Sequence, residues 1–215
     1  MRTHPTSWPM GTVWAKEMSR LCGCRSVLPP RSGAYPRLTA QVVVSRHGTV
    51  FLADTSINET PTPEELATIA KQTAKNARMM GHLPRVAFTS FTNFGSREID
   101  RIDRIRKAIR ILDAEKVDFE YDGEMQADMA LDHELLKSTY PFCRLTGPAN
   151  VLVMPGLHSA HISSRLVQSL GGVTVIGPVI DGLHKPVQIV QMGATVSDLV
   201  NHAALAAYGA LSRRR

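Results

Sequence analysis

Three stretches of this 215-residue chain bring together side chains with chemical use. The first is Ser90-Phe91-Thr92-Asn93-Phe94-Gly95-Ser96, set between an apolar, β-branched run and an amphipathic helix. Hydroxyls, an amide and a glycine ahead of a helix N-terminus suit an anionic phosphate, because free N–H groups and the helix dipole point at it. Ser96 serves a helix cap equally well, with Glu98 and Asp100 answering the same dipole, and composition alone divides the two readings evenly. The second is Met154-Pro155-Gly156-Leu157-His158-Ser159-Ala160-His161. His158 and His161 are three apart, yet no third ligand has a suitable spacing, so no metal site is expected. His133-Glu134 fails as a zinc motif because Lys137 stands where a second histidine is required. The third stretch, Gly177–Asp198, reads as a long and mostly irregular loop. Asp198 stands three after Thr195, the spacing of a capping box.

The elements that must position these residues alternate along the chain. Gln41–Ser45 and Thr49–Ala53 read as strands joined by the turn Arg46-His47-Gly48. Thr62-Pro63-Glu64-Glu65 carries a cap, a proline at the first helical position and a capping-box acid. Leu66, Ile69, Thr73, Ala77 and Met80 form that helix's inner stripe, and Gly81 ends it. Further strands are expected at Arg85–Thr89, Val117–Tyr121, Asn150–Met154 and Val173–Ile176. Ile99, Ile102, Ile105, Ile109 and Leu112 recur at helical spacing, and other helices are expected at Ala127–Ser138, Ser159–Leu170 and Ser197–Leu211, the last burying Val200, Ala204, Ala207 and Leu211. Repeated βα units predict an α/β fold, a mostly parallel sheet with helices on both faces, and place ligands at the carboxyl ends of the strands.

Charge and composition exclude several functions. The net charge of +6 is concentrated at the ends: Arg2, Lys16, Arg20, Arg25, Arg31 and Arg37 against Glu17, then Arg213, Arg214 and Arg215. Residues 39–212 hold sixteen basic and eighteen acidic side chains, so no basic face for nucleic acid is expected. Cys22, Cys24 and Cys143 form neither a disulfide framework nor a C-x-x-C pair, and no apolar run is long enough to span a membrane; a reducing cytoplasm follows. No two glycines lie two apart, which excludes the G-x-G-x-x-G dinucleotide loop, and there is no Walker loop. Residues 1–37 hold both tryptophans and five of the 13 prolines without hydrophobic period, so they are expected to be a disordered extension of a domain at 38–215.

Several segments together resemble one family. Phe51-Leu52-Ala53-Asp54-Thr55-Ser56-Ile57-Asn58 with Pro61-Thr62-Pro63-Glu64-Glu65-Leu66, then Pro84–Phe88 with Ser90…Gly95-Ser96, are similar to segments of phosphate acetyl/butyryltransferases. So are Asp122-Gly123-Glu124-Met125-Gln126-Ala127-Asp128 and Ile176-Gly177-Pro178…Gly182-Leu183…Lys185-Pro186-Val187. The resemblance implies an α/β acyltransferase fold that handles coenzyme A thioesters and acyl phosphate, as a homo-oligomer. It implies acyl-CoA or phosphate contacts from Ser90, Thr92, Asn93, Gly95, Ser96, His158, Ser159 and Gly193. The family's catalytic Ser-Arg pair falls on Gln191 and Met192, while its acid is retained as Asp198. Methionine offers neither the forked charge nor the hydrogen bonds of arginine.

These departures, with Asn150-Val151-Leu152 and Lys185-Pro186-Val187-Gln188-Ile189, resemble the C-terminal domain of hybrid NADP-dependent malic enzymes. That resemblance implies a module that binds acetyl-CoA as a regulatory ligand without acyl transfer, needs no cofactor of its own, and lacks the family's N-terminal half. An active phosphate acetyltransferase is the alternative, and an inert fragment the third reading.

Overall fold

Alternation of side chains across the strands decides which helix packs where. In the computed structural model, which describes residues 38–54, 56–95, 100–181, 183, 186–190 and 193–212, six strands form one sheet. They are β1 (Leu38–Ser45), β2 (Gly48–Ala53), β3 (Arg85–Thr89), β4 (Glu120–Met125), β5 (Val151–Val153) and β6 (Val173–Asp181), in the order β4-β3-β5-β2-β1-β6. The pairs β4/β3, β3/β5 and β5/β2 are parallel, whereas β1 is antiparallel to both β2 and β6. Only β1 is reversed, because Arg46-His47 joins it to β2 and so short a link cannot carry the chain back to a parallel register. The sheet is therefore the mostly parallel one expected.

Among the described residues six helices cover the sheet or follow it: α1 (Pro63–Met79), α2 (Asp100–Glu115), α3 (Ala127–Leu131), α4 (His133–Thr139), α5 (Leu157–Leu170) and α6 (Val196–Ser212). Phe51, Ala53, Val86, Phe88, Val151 and Val153 face α1 and α2, and join their Leu66, Ile69, Ile105 and Leu112 in one core. The intervening Leu52, Ala87 and Leu152 turn the other way and pack with Met125, Ala130 of α3, Leu136 of α4 and Ala160 of α5. Each large apolar side chain so buried contributes roughly 1.5–3 kcal/mol, which fixes strand register against a slip that would exchange the faces. Helices cover both faces, as expected.

α1 begins as its sequence dictates. The Thr62 hydroxyl accepts the Glu65 N–H at 3.2 Å, and the Glu65 carboxylate accepts the Thr62 N–H at 2.8 Å. Gly81, in the left-handed region at φ 84°, lets the chain leave α1.

Four expectations need correction. The strand expected at Val117–Tyr121 lies at Glu120–Met125; Val117 and Phe119 do pack on the core, but from the turn that follows α2. The helix expected at 127–138 breaks at Asp132, whose carboxylate accepts the Leu135 N–H at 3.0 Å and caps a new helix. β6 runs on to Asp181, and Val179 bridges Gln188, so the stretch after Gly177 is less irregular than its composition implies. Finally, α6 turns His202 inward and half-buries Leu205 and Gly209, leaving Val200, Ala204, Ala207 and Leu211 exposed. α6 interleaves Asn201 and His202 with alanines, so its sequence marks no single apolar face; on its inward side the Tyr208 hydroxyl donates to the Met79 carbonyl at 2.5 Å. The extension expected at 1–37, and Ser96, Gln191 and Met192, lie outside the described residues.

Gly123 marks the closest approach of β4 to β3: a Cβ there would sit 2.7 Å from the Phe88 carbonyl oxygen, and its φ is +150°. Gly123→Ala is expected to lower stability by roughly 2–4 kcal/mol through overpacking and backbone strain. Urea unfolding should show a lower midpoint at unchanged slope.

Candidate functional site

β4, β3, β5 and β2 are neighbours and parallel, so their carboxyl ends open side by side. The loop residues that follow, 54, 56–61, 90–95, 126 and 154–157, form a rim. Two buried carboxylates and one pair of amide side chains shape it.

Asp54 closes β2 and is 3% exposed. One carboxylate oxygen accepts the Thr39 N–H at 2.9 Å and its hydroxyl at 2.6 Å; the other accepts the Asn58 N–H at 2.9 Å and the Asn58 side-chain amide at 2.6 Å. One residue thus ties the start of β1 to the loop after β2. That loop is sewn to the next, since the Leu157 N–H donates to the Asn58 carbonyl at 3.1 Å. Gly156 is required there because a Cβ would meet the Glu59 carbonyl oxygen at 2.5 Å.

The loop after β3 is held from β4. The Phe94 N–H donates to the Glu124 carbonyl at 2.9 Å, and the Gly95 N–H donates to the Glu124 carboxylate at 2.7 Å. Arg106 of α2 completes that carboxylate, with Nε at 3.2 Å and Nη2 at 3.1 Å. Phe94 takes the left-handed backbone (φ 36°) and Gly95 follows at φ 93°. The Phe94 ring offsets the cost by packing against Tyr140 and Phe142 at centroid distances of 5.0 and 5.1 Å. Asn93 is bound reciprocally to Gln126, accepting the Gln126 N–H at 2.7 Å and donating to its side-chain oxygen at 3.0 Å.

The site residues expected from sequence therefore divide. Ser90, half-buried, and Thr92, buried, face each other at 3.5 Å, and among the described residues neither hydroxyl has another hydrogen-bond partner. Asn93 and the Gly95 N–H are already engaged in holding the loop. His158 and Ser159 are exposed in the first turn of α5, on the rim beside β3. Gly193 and Asp198 stand apart, beyond β6, which β1 separates from β2. Asp198 accepts the Thr195 N–H and hydroxyl, both at 2.8 Å, and its own N–H donates to Thr195 at 3.2 Å. Those hydrogen bonds to Thr195 hold its carboxyl below the ordinary aspartate value. Among the described residues no three His, Cys, Asp or Glu side chains group as metal ligands, and no helix is long and apolar enough to cross a membrane.

Asp54, Glu124, Gln126 and Arg106 were not among the expected site residues. The first three sit in the segments that carry the family resemblance, and an acid ending a strand is the signal that could have found them. Arg106 carries no such signal, being one charge among many on an amphipathic helix.

A mostly parallel sheet covered by helices on both faces, with a hydroxyl-bearing loop at its carboxyl edge, defines an α/β domain whose site lies beyond the strand ends. Comparison with known proteins gives the family: the profile of phosphate acetyl/butaryl transferases matches residues 31–207, and the chain belongs to that family. It is 50% identical over 186 residues to an NADP-dependent malic enzyme of Rhizobium meliloti, covering 86% of this chain and 24% of that protein. It is 34% identical over 175 residues to a phosphate acetyltransferase of Clostridium acetobutylicum, covering 81% of this chain and 53% of that protein. A phosphotransacetylase from Streptococcus pyogenes superposes with a TM-score of 0.80 at 31% identity, over 86% of this chain and 57% of that one. The chain is thus an acyltransferase-like domain of the kind found in both groups, and spans about a quarter and about half of them respectively.

Two outcomes test this geometry. Asp54→Asn keeps the shape but turns one acceptor into a donor facing donors, and is expected to cost roughly 2–4 kcal/mol in denaturant unfolding. For Asp198 the lowered carboxyl means that its contribution is fully present above the ordinary aspartate value and is lost as pH falls from there through the lowered folded value. Asp198→Asn should therefore flatten the acid limb of thermal stability against pH and leave the neutral limb parallel to the parent's.

Proposed function

We propose that this chain is an acyl-CoA-binding regulatory module of a hybrid NADP-dependent malic enzyme, with acetyl-CoA as its ligand, and that it does not transfer acyl groups. The observation that carries this reading is the state of Asp198. The one acid retained from the family's catalytic set caps α6 through Thr195, and its sequence neighbours Gln191 and Met192 offer no arginine for a developing oxyanion. Supporting a binding role, the half-buried Ser90 hydroxyl lies 3.5 Å from that of the buried Thr92 in a braced loop at the carboxyl edge, where an anion's phosphate would sit. A regulatory ligand needs that edge and no nucleophile.

The alternative is an active phosphate acetyltransferase, favoured by the 34% identity to the Clostridium acetobutylicum enzyme. We further propose a homo-oligomer in the cytoplasm, with no nucleic-acid or membrane partner. Exposed Ile162, Leu166 and Leu170 on α5 and Leu199, Val200 and Leu211 on α6 support self-association, and the free, buried Cys143 suits a reducing compartment.

Calorimetric titration of the full chain with acetyl-CoA should give a saturable heat, while acetyl phosphate and coenzyme A together should yield no acetyl-CoA above blank. Turnover in that assay would establish the transferase instead, and absence of both heat and turnover would leave an inert fragment.

A further inference from the structure

The geometry points to Arg106 as a positioning residue for the Ser90–Gly95 loop, acting through Glu124, and this rests on the reading above that the loop receives an anionic acyl-CoA group. Glu124 is 1% exposed, yet its carboxylate lies 2.7 Å from the Gly95 N–H. A buried, uncancelled negative charge at that place would repel the phosphate the loop is shaped to meet, because low surrounding polarizability leaves it poorly screened. Arg106 answers it with a two-nitrogen fork from α2, Nε and Nη2 at 3.2 and 3.1 Å, and also stands 3.6 Å from Asp103. The guanidinium therefore does two things. It holds the Glu124 carboxylate in the one orientation that accepts the Gly95 amide, and it removes that carboxylate's charge from the field at the loop. It is not itself the ligand's cation, since two carboxylates already face it. Both sides of the arrangement come from elements that flank the loop, so the loop's shape and its electrostatics are set together.

The pairing makes an unusual demand on mutants: the two partners should act in opposite directions on ligand affinity. Arg106→Gln exposes the loop to the Glu124 charge and should weaken acetyl-CoA binding tenfold or more. Glu124→Gln keeps an oxygen for the Gly95 N–H but removes the stronger of the two carboxylate partners of Arg106, leaving the longer contact to Asp103, and should tighten binding threefold or more. The double variant should fall between the two. A pair that merely stabilises the fold would weaken binding, or leave it alone, in both single variants; either result overturns the inference. Should Arg106→Gln not fold, Arg106→Lys keeps the charge without the fork. Hydrogen exchange of the Gly95 amide should then run at least fivefold faster than in the parent chain, and unchanged exchange overturns the clamp. A parent chain that gives no acetyl-CoA heat defeats the functional reading alone, because the Gly95 exchange measurement needs no ligand.

Discussion

Beyond the last rung of a parallel ladder the backbone amides of each strand lose their partners, and an unpaired buried amide costs about as much as a lost hydrogen bond. In this chain buried carboxylates take up amides of β1 and of the loops that meet the strands. Asp54 gathers Thr39 and Asn58 at the end of β2; Asp122 accepts the Arg144 N–H at 2.7 Å; Glu124 takes the Gly95 N–H. Each acid joins two segments distant in sequence, so the rim is rigid where chain ends meet. Among the described residues, the hydroxyls of half-buried Ser90 and buried Thr92 and the exposed first turn of α5 are not engaged in this bracing. The site is defined as much by what the acids have already claimed as by what they leave.

The same economy separates binding from catalysis. Acids that could act on a substrate are engaged in holding backbone, Asp198 included, whose reciprocal bonds with Thr195 start α6. The capping-box spacing read from Thr195 and Asp198 is realised as such. The sheet, the two cores and the loop braces rest on residues other than Asp198.

Legibility followed the strength of local constraints. α1 was readable to its caps, since Thr62, Pro63 and Glu65 act within one turn of each other. β4 was misplaced because Val117 and Phe119 supply an apolar signal that the preceding turn uses, while the true strand carries Asp122 and Glu124, which no hydrophobic pattern selects. The break at Asp132 was missed because Leu131 and Leu135 continue the helical period through it. The inward face of α6 was misread because alanine-rich sequence offers nearly equivalent faces, and the Tyr208 bond to Met79 forms on the one turned inward.

By itself the sequence determined the alternation of strands and helices, the absence of a dinucleotide loop, and the hydroxyl-bearing segment at Ser90–Gly95. These are properties of residue type and short spacing, so no partner is needed to read them. Only the tertiary structure decided that Asn93 and the Gly95 amide are spent on holding the loop, that Asp54 and Glu124 are its anchors, and that Arg106 stands behind Glu124. The reason is physical: a buried charge survives only where partners from several elements converge on it, and that convergence exists only once the sheet has brought them together.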